Sequence, residues 1–311
     1  VSDLKNGVGH APDIEIAFGL QRLAASIGDG HTWLTFGDRL SPDRLPVSLY
    51  EFADGVFIVG TTEGLGHLVG ARPVTLGGRP VGELLQASEP YCSRDNEWTV
   101  LAGRASWLTV APFLAHLGAM TQADSVEANV RLANGTEWVE TLPLLSQAER
   151  TEWLANLSPP PDKEVPMYRR SPERTYWLDY LPEHDAVYVK FNAVGNDPDG
   201  PHLVGFTIQM LERVEQERAK KLIIDVRHNG GGNGDLLNPM VRRISENKRI
   251  NRPGRLFVIT GRQTFSAALM FTVRMERNTE ALFVGEPGAG KPNSYGEFNR
   301  IELPNSKMYG S

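Results

Sequence analysis

The stretch KLIIDVRHNGGGNGD, residues 221–235, decides the fold. An apolar run of strand length is followed by a loop with glycine at positions 230, 231, 232 and 234. Glycine permits backbone conformations and close approaches that a side chain would block, so this loop can present N–H groups to an anion. The alternative interpretation of this loop alone is a flexible turn before a helix that Asp235 caps.

The segments after residue 185 alternate between strand and helix patterns. The strand patterns are AVYVKF (186–191), KLIIDVR (221–227), RLFVIT (255–260) and ALFVGE (281–286), and the helix patterns cover about 203–219, 235–246 and 266–277. This alternation predicts an α/β layer with largely parallel strands. The apolar runs KLIIDV and RLFVIT predict strands covered on both faces, and ligands of such sheets bind at the carboxyl ends of the strands.

The N-terminal half has a different pattern. Residues 14–27 have the apolar spacing of a helix, and short apolar runs separated by Gly and Pro follow from 45 to 144, with a helix predicted near 107–117. The segment SPPPDKEVP, 158–166, suits a linker. The expected fold is therefore α/β (α+β overall). The expected parts are a helical segment carrying the GDGHT turn (1–40), a strand-rich domain (41–150), a linker (151–166) and an α/β domain (167–311) truncated at its C-terminus.

Composition excludes several classes of protein. The chain has 311 residues, 41% hydrophobic and 23% charged, with a formal charge of -6 and no block of Lys or Arg. It is therefore not a disordered chain, and nucleic acid is not an expected ligand. One cysteine and seven histidines without HExxH or paired CxxC spacing predict no metal site. No apolar run reaches the roughly 20 residues of a membrane span.

Ser266, in TGRQTFSAALMF, is the first candidate for chemistry. It stands between a short loop and an apolar helix, where the helix dipole and the N–H of Ala267 would favour an oxyanion formed on attack by its hydroxyl. The competing interpretation is a plain helix N-cap, which is the commonest role of serine at such a position.

Two side chains are candidates for the base that would activate Ser266. Lys291 lies in VGEPGAGKPNSYGE, where the phosphate-binding pattern G-x-x-x-x-G-K is followed by Pro292 instead of Ser or Thr, so a nucleotide is not expected. Burial could lower the pKa of its amine enough for it to act as a base. His31, in GDGHTW, could instead be oriented by Asp29 and Thr32.

Together these loops resemble the catalytic half of the S41 peptidase family, which includes the tail-specific C-terminal processing proteases and their tricorn-like relatives. The segment DVRHNGGG resembles the family pattern D-[LV]-R-x-N-x-G-G, TFSAA resembles the surroundings of its nucleophile, and ALFVGEPGAG resembles its V-G-E-x-x-x-G segment. Each motif is short, but their order and spacing are specific. The GDGHT turn extends the resemblance over most of the chain.

The resemblance implies roles for individual residues. Ser266 would be the nucleophile, and the N–H groups of Ala267 and of Gly231 or Gly232 would form the oxyanion hole. The tail-specific branch implies a Ser–Lys dyad, and Lys291 follows Ser266 by 25 residues. However, Tyr295 stands where that branch usually has Gln.

The tricorn-like branch implies a histidine base, here His31, with Glu286 or Glu297 orienting the site. We expect His31 to be the base, because a GDGHT turn has no evident role in a Ser–Lys enzyme. Lys291 would then stabilise charge or bind substrate.

The resemblance also implies a ClpP/crotonase-like layered βαβ domain and a strand-rich domain similar to PDZ or retinoid-binding-protein modules. The implied activity is a serine endopeptidase acting on peptides or unfolded proteins without metal or organic cofactor. The implied location is secreted, periplasmic or cell-envelope in a bacterium, and homo-oligomerisation stays open. Two alternatives remain, because fold does not determine function: a non-catalytic protein that binds apolar ligands or peptides, and an acyl-transfer enzyme acting on thioesters.

Overall fold

The computed structural model describes residues 10–36, 41–120, 122–155, 165–293, 296 and 299–311. The chain divides into a first unit, Val1–Pro160 with Glu297–Ser311, and a second unit, Pro161–Gly296. The helices of the described residues are α1 (Asp13–Ala25), α2 (Val81–Ser88), α3 (Glu97–Trp107), α4 (Ala111–His116), α5 (Gln147–Ala155), α6 (Leu203–Gln216), α7 (Leu237–Glu246) and α8 (Ser266–Asn278).

The strands are β1 (Leu34–Thr35), β2 (Val47–Phe52), β3 (Gly55–Thr61), β4 (Arg72–Leu76), β5 (Arg79–Pro80), β6 (Ser125–Arg131), β7 (Glu137–Pro143), β8 (Tyr176–Leu181), β9 (Ala186–Phe191), β10 (Lys221–Asp225), β11 (Leu256–Thr260), β12 (Leu282–Gly285), β13 (Ile301–Glu302) and β14 (Tyr309–Gly310). None of the helices in the described ranges is both long and apolar enough to cross a membrane.

The second unit is built on a five-stranded sheet in the order β12-β11-β10-β9-β8. The strands β9 to β12 are parallel, and Ile224 of β10 pairs with Val189 on one side and Val258 on the other. The predicted alternation of strands and helices and the parallel sheet are therefore confirmed. The strand β8, which the sequence did not predict, adds an antiparallel edge.

One face of this sheet and the apolar faces of its helices form the core of the second unit. The core side chains occupy alternate positions along β10 and β11, whereas all six residues of β9 are buried. The helices contribute side chains such as Phe206, Met240 and Phe271. The sequence predicted that KLIIDV and RLFVIT are covered on both faces, but Phe257 and Ile259 are only half-buried. The second face is therefore only partly covered at β11, because an apolar run alone does not show how much packs on that face.

The first unit contains a four-stranded sheet, β5-β4-β6-β7, a hairpin of β2 and β3, and a small sheet in which β14 lies between β1 and β13. The hairpin, the large sheet and the helix α2 share one core, which includes Leu45, Ile58 and Leu84. The short strands predicted for 41–150 are present, and they form the hairpin and the four-stranded sheet.

The helix predicted near 107–117 is present as α4, but it is shorter and begins with Pro112 in its first turn. The preceding helix α3 was not predicted, and it starts at a capping box made by Asn96 and Thr99. A short 3-10 turn precedes α7, and the side chain of Asn233 caps that turn by accepting the N–H of Asp235, 3.0 Å away. The cap by Asp235, which belonged to the alternative interpretation of the Gly loop, is therefore replaced by one from Asn233.

The boundaries of the predicted domains also differ from those of the observed units. The helix α5, 147–155, extends into the start of the linker predicted for 151–166, and most of the Pro-rich segment lies outside the described residues. Residues Glu297–Ser311, expected in the α/β domain, belong to the first unit. The reason is the strand β14, which pairs with β1 so closely that a Cβ on Gly310 would lie 1.9 Å from the Trp33 carbonyl oxygen.

Candidate active site

Ser266 is the first residue of α8, and its φ of 49° lies in the left-handed region. This region costs a non-glycine residue about 1–2 kcal/mol, and such strain is concentrated at functional sites. The helix is preceded by Phe265, which occupies the N-cap position with extended geometry. Ser266 is therefore not the N-cap that its sequence position also suggested. A serine on a strained turn from strand to helix has the geometry of a nucleophile elbow.

The Gly loop lies directly against this turn. A Cβ on Gly231, which has a φ of 115°, would lie 2.7 Å from Ser266 Cβ and 3.0 Å from the Ala267 nitrogen. The Phe265 N–H also donates to the carbonyl of Asn229, 3.1 Å away. The structure thus brings together the Gly loop, Ser266 and Ala267, as the motifs predicted.

Asn229 gives the Gly loop its shape, a role that the motifs did not predict. Its buried side chain donates to the carbonyl of Phe191, 3.0 Å away, and accepts the N–H of Gly231, 2.9 Å away. The Gly231 N–H is therefore already engaged within the loop. Within the described residues, neither the Gly232 N–H nor the Ala267 N–H donates a hydrogen bond. These two groups are the candidate oxyanion donors.

The segment that carries Lys291 packs beside the same turn. The Ala289 N–H donates to the carbonyl of Thr264, 3.0 Å away, and a Cβ on Gly290 would lie 3.4 Å from the Phe265 ring. Lys291 itself is half-buried. The second unit therefore brings the lysine segment to the residues that precede Ser266.

Of the two glutamates predicted to orient the site, only Glu286 lies in the part of the chain that the structure describes. The Glu286 carboxylate forms a two-pronged ion pair with Arg262, whose Nε lies 3.0 Å from one oxygen, and the Thr260 hydroxyl donates to the Glu286 carbonyl. This pairing joins the loops that follow β11 and β12. Glu297 lies outside the described residues.

His31 belongs to the first unit, where it follows α1 in the GDGHT turn and is buried. The Thr32 hydroxyl donates to the Asp29 carboxylate, 2.9 Å away, and the Gly30 N–H donates to the Asp95 carboxylate, 2.8 Å away. The Ser311 hydroxyl donates to the His31 carbonyl. The turn is therefore held by a network of hydrogen bonds that includes the C-terminal segment.

A buried charged cluster lies at the carboxyl ends of β9 and β10. The Asp225 carboxylate accepts the Tyr188 hydroxyl at 2.7 Å and the Arg227 Nε at 2.9 Å, and Lys190 Nζ lies 3.6 Å away. Burial alone would raise the pKa of Asp225, but its hydrogen bonds to Arg227 and the charge of Lys190 hold that pKa below its ordinary value. Burial lowers the pKa of Lys190.

This cluster was not predicted from the sequence, although one signal was available. Lys190 is a single charged residue inside the apolar strand AVYVKF, and its side chain is almost completely buried. A buried lysine needs a counter-charge, and Asp225 at the end of the neighbouring strand supplies it. No group of three or more His, Cys, Asp or Glu side chains able to hold a metal occurs in the part of the chain that the structure describes.

Comparison with solved structures supports the fold. A single-site mutant of CPAF is 14% identical and superposes with a TM-score of 0.67, over 99% of this chain and 81% of that one. Mature CPAF complexed with lactacystin is also 14% identical, with a TM-score of 0.63 over 93% of this chain and 77% of that one.

These solved structures are peptidases of the S41 family. The resemblance predicted from the motifs is therefore confirmed at the level of the fold. No protein-family model matches the chain, and no curated protein matches it in sequence.

Proposed function

We propose that the chain is a serine endopeptidase that cleaves peptide bonds through an acyl-enzyme on Ser266. The observation that carries the proposal is the φ of 49° at Ser266, on a turn against which Gly231 is packed too tightly for any side chain. Strain of this kind needs a compensating benefit, and exposing a nucleophile at the start of a helix supplies one. The fold shared with CPAF gives independent support.

The arrangement suits acyl transfer. Ser266 Oγ attacks the peptide carbonyl carbon and gives its proton to the base, which passes it to the leaving amine as the C–N bond breaks. The developing oxyanion accepts hydrogen bonds from the N–H groups of Ala267 and Gly232, at the positive end of the dipole of α8. Water then hydrolyses the ester and restores Ser266.

We propose His31 as the base, with Lys291 as the alternative that the packing of the 288–290 segment favours. Removing the base that takes the Ser266 proton lowers kcat, by about 10²-fold or more, whereas removing a residue that only binds substrate raises KM. His31→Ala and Lys291→Ala should be compared in the same assay of kcat and KM. The substitution that lowers kcat identifies the base, and full activity of His31→Ala would exclude His31.

The finer architecture is also part of the proposal. The parallel sheet with its helices supports a ClpP/crotonase-like layered domain for the second unit. The sheet β5-β4-β6-β7 with α2 supports a PDZ-like module in the first unit. Peptides or unfolded proteins are the proposed substrates.

Ser266→Ala tests the proposal. We expect this substitution to abolish peptide hydrolysis and covalent labelling by a fluorophosphonate while the circular dichroism spectrum stays unchanged. Ser171→Ala is the matched control, because Ser171 also has a left-handed backbone, with a φ of 48°, but lies before β8. A wild-type protein that is never labelled and yet binds apolar ligands would favour the non-catalytic alternative.

A further inference from the structure

The first unit contains a cleft of about 380 Å³ between β3, β4 and α2 that has no role in the proposed reaction. Its lining includes the apolar side chains of Val56, Val74, Val81 and Leu85. Three of them belong to the core, whereas Val74 is 42% exposed. The cleft therefore offers an apolar wall that is open to solvent, and its volume falls in the range of small-molecule sites.

Two arginines also line this cleft. Arg72 on β4 lies directly opposite Arg131 on β6 in the sheet register, and like charges at opposed positions repel. In the described ranges, the Arg72 side chain forms no ion pair and donates no hydrogen bond. Arg131 pairs with Glu137 at 3.2 Å, but both side chains are more than half exposed, so this pair neutralises little.

A glycine leaves room for the Arg72 head group beside the β2–β3 turn. Gly55 has a φ of 138°, and a Cβ there would lie 2.8 Å from Arg72 Nη2. The guanidinium thus lies against the bare backbone of this turn, where a side chain at position 55 would displace it. The positive charge of Arg72 therefore lies on the cleft lining.

The one carboxylate on the cleft lining is already engaged. Glu51 accepts hydrogen bonds from Arg104 through both of its oxygens, and Arg104 also pairs with Glu89. The charge of Glu51 is therefore balanced from outside the cleft, and Arg72 keeps its uncompensated positive charge.

We infer that this cleft binds an amphipathic carboxylate, a ligand in which an apolar chain ends in a carboxyl group. The apolar chain would pack along Val74, Val81 and Leu85, and the carboxylate would accept hydrogen bonds from Arg72 and Arg131. The planar guanidinium fork matches a carboxylate in two-pronged geometry. A fatty acid and the free C-terminus of an apolar peptide both supply this chemistry. The inference does not depend on the proposed peptidase activity.

Titration calorimetry on the full chain tests this site, with decanoate as the probe and decanol as its uncharged counterpart. We expect saturable one-to-one binding of decanoate, with decanol at least about tenfold weaker, as loss of a charge-assisted hydrogen bond predicts. Arg72→Gln and Arg131→Gln should each weaken decanoate binding about tenfold or more. Arg22→Gln, which removes an exposed arginine of α1 outside the cleft, should leave the affinity unchanged.

A second arm distinguishes the two sources of carboxylate. An acetylated apolar tetrapeptide with a free C-terminus is compared with its amide in the Ser266→Ala background, so that hydrolysis contributes no heat. Binding of the acid, and not of the amide, assigns the cleft to peptide ends, and binding of decanoate alone assigns it to fatty acids. The inference is overturned if neither acid binds with a Kd below about 1 mM. It is also overturned if Arg72→Gln and Arg131→Gln leave the affinity unchanged.

Discussion

Ser266 has a backbone conformation that is costly for serine and inexpensive for glycine. With a φ of 49°, it stores strain at the residue to which we assign the nucleophile. The sequence pattern around it allowed a helix N-cap as well, because the same residue types suit both roles. Only the placement of Phe265 at the N-cap separates the two interpretations.

Replacing Ser266 by glycine should therefore stabilise the fold relative to replacing it by alanine. Both changes remove the hydroxyl, but only glycine adopts this φ without a steric cost, so we expect Ser266→Gly to be more stable than Ser266→Ala by about 1 kcal/mol. Urea unfolding of the two variants measures the difference. Equal stabilities would show that the turn carries no strain.

The buried charges at the ends of β9 and β10 should respond unequally to substitution. Asp225→Asn leaves the Lys190 ammonium buried without a counter-charge, and we expect a loss of about 3–5 kcal/mol in the free energy of unfolding. Lys190→Met leaves the Asp225 carboxylate bound to Arg227 and Tyr188, so we expect a loss of about 1 kcal/mol or less.

Denaturant titrations of both variants at neutral pH measure these losses, and similar losses would contradict the expected asymmetry. The pKa of Asp225 is lower in the folded protein than in the unfolded chain. Its stabilising contribution is therefore present above the unfolded pKa and is lost as the pH falls through the folded one. The difference between wild type and Asp225→Asn should accordingly shrink in acid.

At the scale of elements, the site depends on how the Gly loop meets the start of α8. Asn229 ties this loop to the end of β9 and to Phe265, and Gly231 lies in contact with the Ser266–Ala267 peptide. The nearby glycines are not equivalent, because a Cβ on Gly230 would meet nothing within 4 Å.

Gly231→Ala and Gly230→Ala form a matched pair for testing this contact. We expect Gly231→Ala to lower the free energy of unfolding by about 2 kcal/mol or more and to abolish hydrolysis, because its Cβ would clash with the turn at a φ that alanine rarely adopts. Gly230→Ala should change the stability by about 0.5 kcal/mol or less. Activity assays and urea unfolding of both variants provide the test, and a tolerated Gly231→Ala would contradict the contact.

The elements that the sequence predicted well are those whose signal is local. The apolar runs of β9 to β12 and the spacing of α6 to α8 predicted the order of the second unit, and the motifs predicted that the Gly loop lies beside Ser266. The helix α3 was missed because its start depends on the Asn96–Thr99 capping box and not on apolar spacing. The Lys190–Asp225 pair was missed because it joins two strands through a register that only the folded sheet defines.

At the scale of the whole molecule, the first unit is made from both ends of the chain. The C-terminal residues contribute β13 and β14 to the sheet that holds β1, and Met308 between them is buried to 1% exposure. No local signal could have predicted this pairing, since the partners lie at opposite ends of the sequence.

Met308→Ala should therefore destabilise the protein although it lies close to the last residue. We expect a loss of about 2–5 kcal/mol in the free energy of unfolding of the first unit, because a buried methionine leaves a cavity. Met270→Ala, at a side chain that is 41% exposed on α8, is the control and should cost about 1 kcal/mol or less. Denaturant unfolding measures both, and a silent Met308→Ala would contradict the assignment of the C-terminal segment.

The pairing of β14 with β1 also constrains the order of events during synthesis. The second unit is continuous in sequence, so its core can form as soon as the ribosome has released its last strand. The sheet around β1 has to wait for β13 and β14, which emerge only after the whole second unit. The strand β1 thus acquires its native partners later than the core of the second unit does, and a nascent chain keeps the turn carrying His31 incomplete until Ser311 has emerged.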